Sequence, residues 1–98
     1  MIIKLTKNGQ VFIPKNVQKN LKFHEGEFLF VHACKDKILI EKNNQNKFLN
    51  QCVFNYGRVS IPAEIRRLLG ISEITPLSMK VSVEQQIIFI QKNNEVLN

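Results

Sequence analysis

Two kinds of hydrophobic spacing alternate along the chain. From residue 77 onward, apolar and polar residues alternate with a period of two, which predicts a strand with one buried face; its apolar positions are Leu77, Met79, Val81 and Val83. Ahead of this strand, Ile65, Leu68 and Leu69 fall on one side of a helical wheel, which predicts a buried stripe on a short helix. Val17 and Leu21 make the corresponding stripe of an earlier helix.

This pattern occurs twice. The segment NYGRVSIPAEIRRLLG, residues 55–70, follows the segment KNGQVFIPKNVQKNLK, residues 7–22, at an offset of 48 positions. The two segments share a turn glycine, an alternating strand, an Ile-Pro step and the apolar positions of the helix. After a two-residue insertion, ILIEK (38–42) matches IFIQK (88–92). Each copy is therefore predicted to form a ββαββ unit, in the order strand, tight turn, strand, short helix and hairpin.

Turn and breaker residues support this order. Asn8 and Gly9 predict a tight turn after the first strand, because Asn-Gly favours the positive φ angles of hairpin turns. Pro14 and Pro62 suit the first helical position, where the missing N–H is not needed. The segments HEGE and SEIT predict turns after the helices, and ACKDKI and VEQQI predict the hairpin turns before each last strand.

The chain is predicted to form a single domain, residues 1–98. We assign the first repeat to residues 1–42, a linker rich in Asn and Gln to 43–51, the second repeat to 52–92 and a short tail to 93–98. A unit of about half this length buries too little surface to be stable alone, so the two repeats are expected to share one core. With no apolar run of roughly 18 residues and no apolar leader at its start, a soluble cytoplasmic protein without a membrane partner is expected. Cys34 and Cys52 are expected to be reduced and buried.

Positive charge is concentrated on the two repeated segments. The formal net charge is +6, which favours a polyanionic partner. All three arginines, Arg58, Arg66 and Arg67, lie in the second segment, and five lysines surround the first: Lys4, Lys7, Lys15, Lys19 and Lys22. This clustering is typical of a nucleic-acid-binding surface, although a solvated helix face would explain Arg66 and Arg67 equally simply.

The repeated segments resemble the AbrB/SpoVT/MazE family of swapped-hairpin DNA-binding domains, with a tandem duplication like that of the MraZ branch. The resemblance rests on KLTKNGQVFIPKNVQKNLKFHEGEFLFVHACKDKILIEK and on FNYGRVSIPAEIRRLLGI. It implies a mostly β fold with two short helices, in which two intrachain ββαββ repeats interlock their hairpins into one small β-barrel. One repeat would form only half of such a barrel, which would explain why the pattern occurs twice.

The same resemblance implies a sequence-tolerant regulator of transcription, bacterial or from a mobile element, that binds double-stranded DNA. The residues carried over by position are Arg58, Arg66 and Arg67, with Gln10, Gln18 and Lys19 at the equivalent places of the first repeat. Lys7 and Lys15, two of the lysines around the first segment, complete the predicted DNA-binding set. Lysine and arginine neutralise phosphates, while arginine reads guanine, glutamine reads adenine, and DNA shape supplies further selectivity. Because the first repeat has Gln and Lys where the second has Arg, the two halves are expected to contribute unequally.

Several alternatives stay open at this point. A protein-interaction module on the same barrel, antitoxin-like or inhibiting a nucleic-acid enzyme, is the main competitor, and self-association into a dimer or higher oligomer is left open. An enzyme is not expected, because Asp36 is the single aspartate and no nucleophile has a matching base. No cofactor is expected either.

Five further residues have competing interpretations. Tyr56 is expected to be partly buried, the alternative being stacking on a sugar or base. On paper, His24, His32, Cys34 and Cys52 could assemble into a metal site. Their spacing is not that of structural zinc sites, so we expect no metal and place them in the core or at its rim.

Overall fold

The computed structural model describes residues 1–46 and 49–93. Strands and helices follow the predicted order in both repeats, which confirms a mostly β chain with two short helices. The elements are β1 (Ile2–Ile3), β2 (Gln10–Phe12), α1 (Lys15–Asn20), β3 (Phe28–Cys34), β4 (Lys37–Glu41), β5 (Gln51–Val53), β6 (Arg58–Ser60), α2 (Ala63–Leu69), β7 (Leu77–Ser82) and β8 (Ile87–Lys92). None of the helices in these two ranges is long and apolar enough to span a membrane.

The strands form two antiparallel sheets. The larger sheet has six strands in the order β1-β7-β8-β4-β3-β5, and the smaller is the pair β2-β6. The larger sheet is open, with β1 and β5 at its edges, so the expected closure into a barrel is wrong for the described strands. Closure fails because β2 and β6 pair only with each other, after the chain has left the larger sheet through the turns between β1 and β2 and between β5 and β6.

The strand pairing crosses between the repeats. Strand β1 pairs with β7, with Ile2 opposite Ser78, and β5 pairs with β3, with Val53 opposite Phe28. In the smaller sheet Val11 lies opposite Val59, its equivalent at the sequence offset of 48. The pairing pattern is therefore unchanged when the two repeats are exchanged.

A single core lies between the larger sheet on one side and the smaller sheet with both helices on the other. Its largest fully buried side chain is Phe54, whose ring centroid lies 5.8 Å from that of Phe23. Both repeats contribute to this one cluster, which contains Leu5, Val11, Ile13, Val17, Leu21, Phe23, Leu29, Val31, Ile38, Ile40, Phe54, Val59, Ile61, Ile65, Ile71, Leu77, Met79, Ile88 and Ile90. A shared core is what two units of this size require.

Helix α2 is rotated relative to the predicted stripe. Ile65 is buried and Leu69 half-buried, but Leu68 is 72% exposed. The side turned toward the protein instead includes Arg66, which is half-buried. In the first repeat Asn20, the counterpart of Leu68, is exposed as well, so both helices turn the same side toward the protein.

Two boundary predictions also need correction. Pro14 and Pro62 are not the first helical residues; each precedes its helix with an extended ψ, 148° and 140°. The proline ring fixes φ but leaves ψ free, so each proline ends the preceding extended segment and the helix begins one residue later. Val83 lies in the turn after β7 rather than in the strand, and is exposed. The hairpin turn occupies residues 83–86, within the predicted VEQQI segment, so only the predicted extension of the strand to Val83 is wrong.

The residue that follows the end of each helix is of a different type in the two repeats. Lys22 after α1 and Gly70 after α2 both adopt a left-handed conformation, with φ of 57° and 65°. Each helix end is closed by the same pair of bonds, which for α1 run from Lys22 N–H to Lys19 O and from Phe23 N–H to Gln18 O. Glycine takes this conformation without the steric cost that a lysine pays.

We therefore expect Lys22→Gly to stabilise the protein. The gain should be about 1 kcal/mol, or roughly 4–8 °C in melting temperature, because the left-handed strain is removed. Thermal unfolding followed by circular dichroism measures it. Lys19→Gly removes the same charge from the interior of the helix and should destabilise instead, by about 1 kcal/mol. A lower melting temperature for Lys22→Gly would contradict the expectation.

Candidate nucleic-acid interface

The smaller sheet presents a polar and basic outer face. Val11 and Val59 point inward and are fully buried. The alternate residues point outward: Gln10, Phe12, Arg58 and Ser60. Across the two strands Phe12 lies opposite Arg58, and Gln10 lies opposite Ser60. This ribbon, Gln10–Phe12 with Arg58–Ser60, brings the two residues predicted after the turn glycines, Gln10 and Arg58, onto one surface.

A two-residue turn leads into β6 at one end of the ribbon. Asn55 and Arg58 exchange both backbone hydrogen bonds, each 2.9 Å, around Tyr56 and Gly57. Both turn residues have positive φ, 53° and 72°, as in a type I′ hairpin turn. The Glu25 carboxylate accepts bonds from the backbone N–H groups of Tyr56, at 2.7 Å, and of Gly57, at 3.1 Å. Tyr56 is 81% exposed, so the expectation of a partly buried tyrosine is wrong. The turn needs a left-handed residue there, which directs the ring to solvent.

A wider turn leads into β2 at the other end. Gly9 N–H donates to Thr6 O at 2.9 Å, and Thr6 N–H donates to Gln10 O at 2.8 Å. Gly9 has a φ of 77°, as the Asn8-Gly9 signal predicts. This turn holds one residue more than its counterpart and presents the exposed Lys7. The two ends of the ribbon therefore differ in both shape and charge.

Gln18 and Arg66 are equivalent residues with the same internal bond. The Gln18 side-chain amide donates to Ile13 O at 2.7 Å, and Arg66 Nε donates to Ile61 O at 3.0 Å. Each accepting carbonyl belongs to the residue before the proline that precedes the helix. Both bonds tie a helix to the strand that leads into it, which gives these two side chains a structural role in addition to the one that the sequence predicts.

Each of these side chains also lies against the turn glycine of the other repeat. A Cβ placed on Gly9 would lie 2.6 Å from Arg66 Cζ, and one placed on Gly57 would lie 3.2 Å from the Gln18 amide nitrogen. The glycines therefore permit close approach as well as the turn conformation. In addition, Ile13 N–H donates to Gly57 O and Ile61 N–H donates to Gly9 O. The helices and the opposite turns are thus held together.

The remaining predicted residues are exposed: Arg58 on the ribbon, Lys7 on the wider turn, Lys15 and Lys19 on α1, and Arg67 on α2. Among residues 1–46 and 49–93, ion pairs join His32 to Glu41 and Lys42 to Glu27, and none of the predicted residues takes part. Their charges are not neutralised by a neighbouring carboxylate at ion-pair distance. Such a surface is suited to phosphate groups.

A small groove marks the place where the wider turn meets α2. It has a volume of about 220 Å³, and Lys7, Arg66 and Glu73 contribute its charged groups. Glu73 is the counterpart of Glu25, which bonds to the other turn. A carboxylate therefore stands beside each end of the ribbon, where it limits how closely an anionic partner can approach.

The histidines and cysteines do not come together. In the described part of the chain no three His, Cys, Asp or Glu side chains are grouped as metal ligands. His32 Nε2 lies 2.7 Å from Glu41 Oε2, which also accepts a bond from Asn44. Burial raises the pKa of the Cys52 thiol, which disfavours the thiolate that metals bind.

Two of these residues are more exposed than expected. Cys34 is the last residue of β3, at the start of the hairpin turn, and there it is exposed rather than buried. His24 is exposed in the turn after α1, where its backbone N–H donates to the Glu27 side chain at 2.7 Å. His32 and Cys52, in contrast, are half-buried at the rim of the sheet.

Comparisons with protein-family models, with curated proteins and with solved structures found no match for this chain. The functional argument therefore depends on the geometry of the ribbon and its flanking helices.

Sequence reasoning missed two residues of this surface. Phe12 is 50% exposed on the ribbon, and its position between the buried Val11 and Ile13 was a usable signal, because alternate strand residues face opposite sides. Glu25 reaches the Tyr56–Gly57 turn from the other repeat. No local sequence pattern predicts a contact between residues so far apart in the chain.

Proposed function

We propose that this protein binds double-stranded DNA and regulates transcription in the manner of the AbrB type. The observation that carries the proposal is the ribbon, whose outer face holds Arg58 and Gln10 and is flanked by exposed basic residues that form no ion pair within residues 1–46 and 49–93. A two-stranded antiparallel ribbon is one of the two elements that fit the DNA major groove. Lys15, Lys19 and Arg67, on the helices that follow the ribbon strands, would contact phosphates on either side of it.

The roles that we propose for these residues follow from the chemistry of their side chains. Lysines and arginines around the ribbon position the protein on the backbone and supply most of the affinity, by releasing counterions from the DNA. Arg58 and Gln10 are the side chains able to read base edges in the groove. With only two such residues on the ribbon, the protein tolerates many sequences, and DNA shape adds to its selectivity.

The proposed architecture is that of two interlocked ββαββ repeats in the swapped-hairpin manner, built around an open sheet. Its support is the crossed pairing, in which β1 lies beside β7 and β5 beside β3. Further support is the symmetric register, with Val11 opposite Val59 and Leu39 opposite Phe89. In this architecture both repeats contribute one strand and one helix to the DNA-binding side.

A protein-interaction module is the second candidate. The observation in its favour is the outer face of the larger sheet, where apolar side chains lie uncovered at both edges: Ile2 on β1, and Phe28 and Val53 on the paired strands β3 and β5. Exposed apolar patches are typical of protein contacts. Such a contact would not need the arginines.

The test is fluorescence anisotropy of a labelled A·T-rich duplex at about 50 and about 200 mM salt. We expect the affinity of the native chain to fall by about a hundredfold or more across this range, because several phosphates are neutralised. An Arg58→Ala, Arg67→Ala variant should bind much more weakly and show a shallower salt dependence. Lys80→Ala, which removes an exposed charge from β7 in the larger sheet, is the matched control and should leave binding unchanged.

Arg66 needs a different substitution, because alanine would also remove its bond to Ile61 O. Arg66→Gln keeps that bond available, as Gln18 shows at the equivalent place, while removing the charge. We expect it to weaken DNA binding at nearly unchanged stability. If the native chain is folded by circular dichroism and does not bind the duplex at about 50 mM salt, the DNA-binding proposal fails and a protein partner becomes the leading hypothesis.

A further inference from the structure

We infer that the ribbon reads a DNA site without dyad symmetry, with Arg58 on guanine beside a thymine contacted by Phe12, and with Gln10 on adenine in the other half-site. This inference rests on the proposed function and concerns the sequence that the same surface prefers. Its basis is a chemical difference between the two ends of the ribbon.

The centre of the ribbon is the buried pair Val11 and Val59. Exchanging the repeats about this centre replaces Gln10 by Arg58 and Phe12 by Ser60. Neither exchange preserves the chemistry of the side chain. The backbone of the ribbon is thus symmetric while its outer surface is not.

One end combines a guanidinium with aromatic rings. Phe12 lies opposite Arg58, and the two-residue turn that precedes Arg58 carries the exposed Tyr56. Phe12 also approaches this turn, because a Cβ on Gly57 would lie 3.1 Å from its ring. Arginine makes two bonds to guanine in the major groove, and an apolar side chain contacts the methyl group of thymine. This end therefore favours a guanine next to a thymine.

The other end has only small or amide-bearing side chains on its face of the ribbon, because the guanidinium beside it, that of Arg66, belongs to α2 and is bonded to Ile61 O. Gln10 lies opposite Ser60, next to the wider turn with Lys7. A glutamine side chain pairs with adenine through one donor and one acceptor, whereas serine discriminates weakly between bases. With no aromatic residue and no arginine on its face of the ribbon, this end does not repeat the preference of the first.

The difference between the ends is permanent, because both strands of the ribbon belong to one chain. In a homodimer, twofold symmetry places identical residues at the two ends and favours a palindromic site. Here each molecule has one Arg58 end and one Gln10 end. It must therefore bind in one orientation on its preferred sequence.

The test is selection of preferred sites from a pool of random duplexes, with three variants compared to the native chain. We expect the native consensus to be asymmetric, with a guanine-thymine step in one half. Gln10→Arg places arginine at both ends and should add a guanine in the other half, which makes the consensus more symmetric. Arg58→Gln should remove the guanine preference, which we expect to be about five- to a hundredfold for one bidentate contact.

The matched control is Lys15→Gln, which removes one exposed charge on α1 outside the ribbon. It should weaken binding to all sequences alike and leave the consensus unchanged, as a phosphate contact does. Circular dichroism and the affinity for a mixed-sequence duplex verify that each variant is folded and binds DNA.

The outcomes separate this inference from the proposed function. A native consensus with dyad symmetry, or binding that is equal for all duplexes, overturns the inference while DNA binding stands. An unchanged consensus in both Gln10→Arg and Arg58→Gln overturns it as well. Absence of duplex binding by the folded native chain at low salt overturns the proposed function itself.

Discussion

Replacing Phe54 by alanine is expected to lower the free energy of unfolding by about 3–5 kcal/mol, which is the usual cost of removing a buried aromatic side chain. Phe54 is the largest fully buried side chain and packs against Phe23. Small domains have a stability of only about 5–15 kcal/mol, so this loss is a large fraction of the total. Urea denaturation followed by circular dichroism measures the change.

Phe28→Ala is the control for this experiment. Phe28 lies at the start of β3, opposite Val53 of the edge strand β5, and is 61% exposed, so truncation should leave no cavity and change stability by about 0.5 kcal/mol at most. Similar losses in the two variants would mean that the core is not organised around Phe54.

The second large effect is expected at Gly9. Its φ of 77° is strained for any other residue, and a new Cβ would lie 2.6 Å from Arg66 Cζ. Alanine there must displace the guanidinium and with it the bond to Ile61 O, leaving a carbonyl without its partner. We expect a loss of about 2–4 kcal/mol, the sum of conformational strain and the lost hydrogen bond.

Gly26 separates these two contributions. It also has a positive φ, 87°, but a Cβ there would meet nothing within 4 Å. Gly26→Ala should therefore show the conformational cost alone, about 1 kcal/mol. The excess at Gly9 should shrink in an Arg66→Ala background, because the clash and the bond are then already gone. Equal losses at the two glycines would show that Arg66 adapts freely and that its bond contributes little.

The order of elements could be predicted because its signals are local. The Asn8-Gly9 turn, the prolines before each helix and the period of two in the strands act over a few residues, and each appears in the structure at or near its predicted place. The burial of Leu77 and Met79 on alternate positions of β7 could be predicted from the sequence for the same reason. The number of strands and helices required no knowledge of the tertiary contacts.

The errors arose from contacts between distant residues. Leu68 was placed in the core because its spacing fits a helical stripe, but α2 turns the side that carries Arg66 toward the protein and leaves Leu68 exposed. Closure into a barrel was expected from the resemblance, and it depends on how the edge strands pair. Periodicity reports which face of an element is apolar, and it does not report which neighbour that face meets.

The candidate interface was predictable in composition but not in arrangement. Clustered charge identified the lysines and arginines, because all three arginines and five lysines fall in or beside the two repeated segments. That Phe12 lies opposite Arg58, and that Gln18 is turned toward Ile13 O, depends on pairing and packing between the two repeats. The asymmetry of the ribbon follows from that pairing.

The crossed pairing of β1 with β7 and of β5 with β3 also constrains how the chain acquires its structure. Neither repeat can complete its own part of the sheet. During translation, the first repeat leaves the ribosome before β7 has been synthesised, so β1 has no partner at that stage. Folding must wait for the last strands and then proceed in one cooperative step, at the slower rates typical of topologies with distant contacts. The same geometry lets two crowded chains exchange repeats, since a repeat from a neighbouring molecule offers the same pairing surfaces.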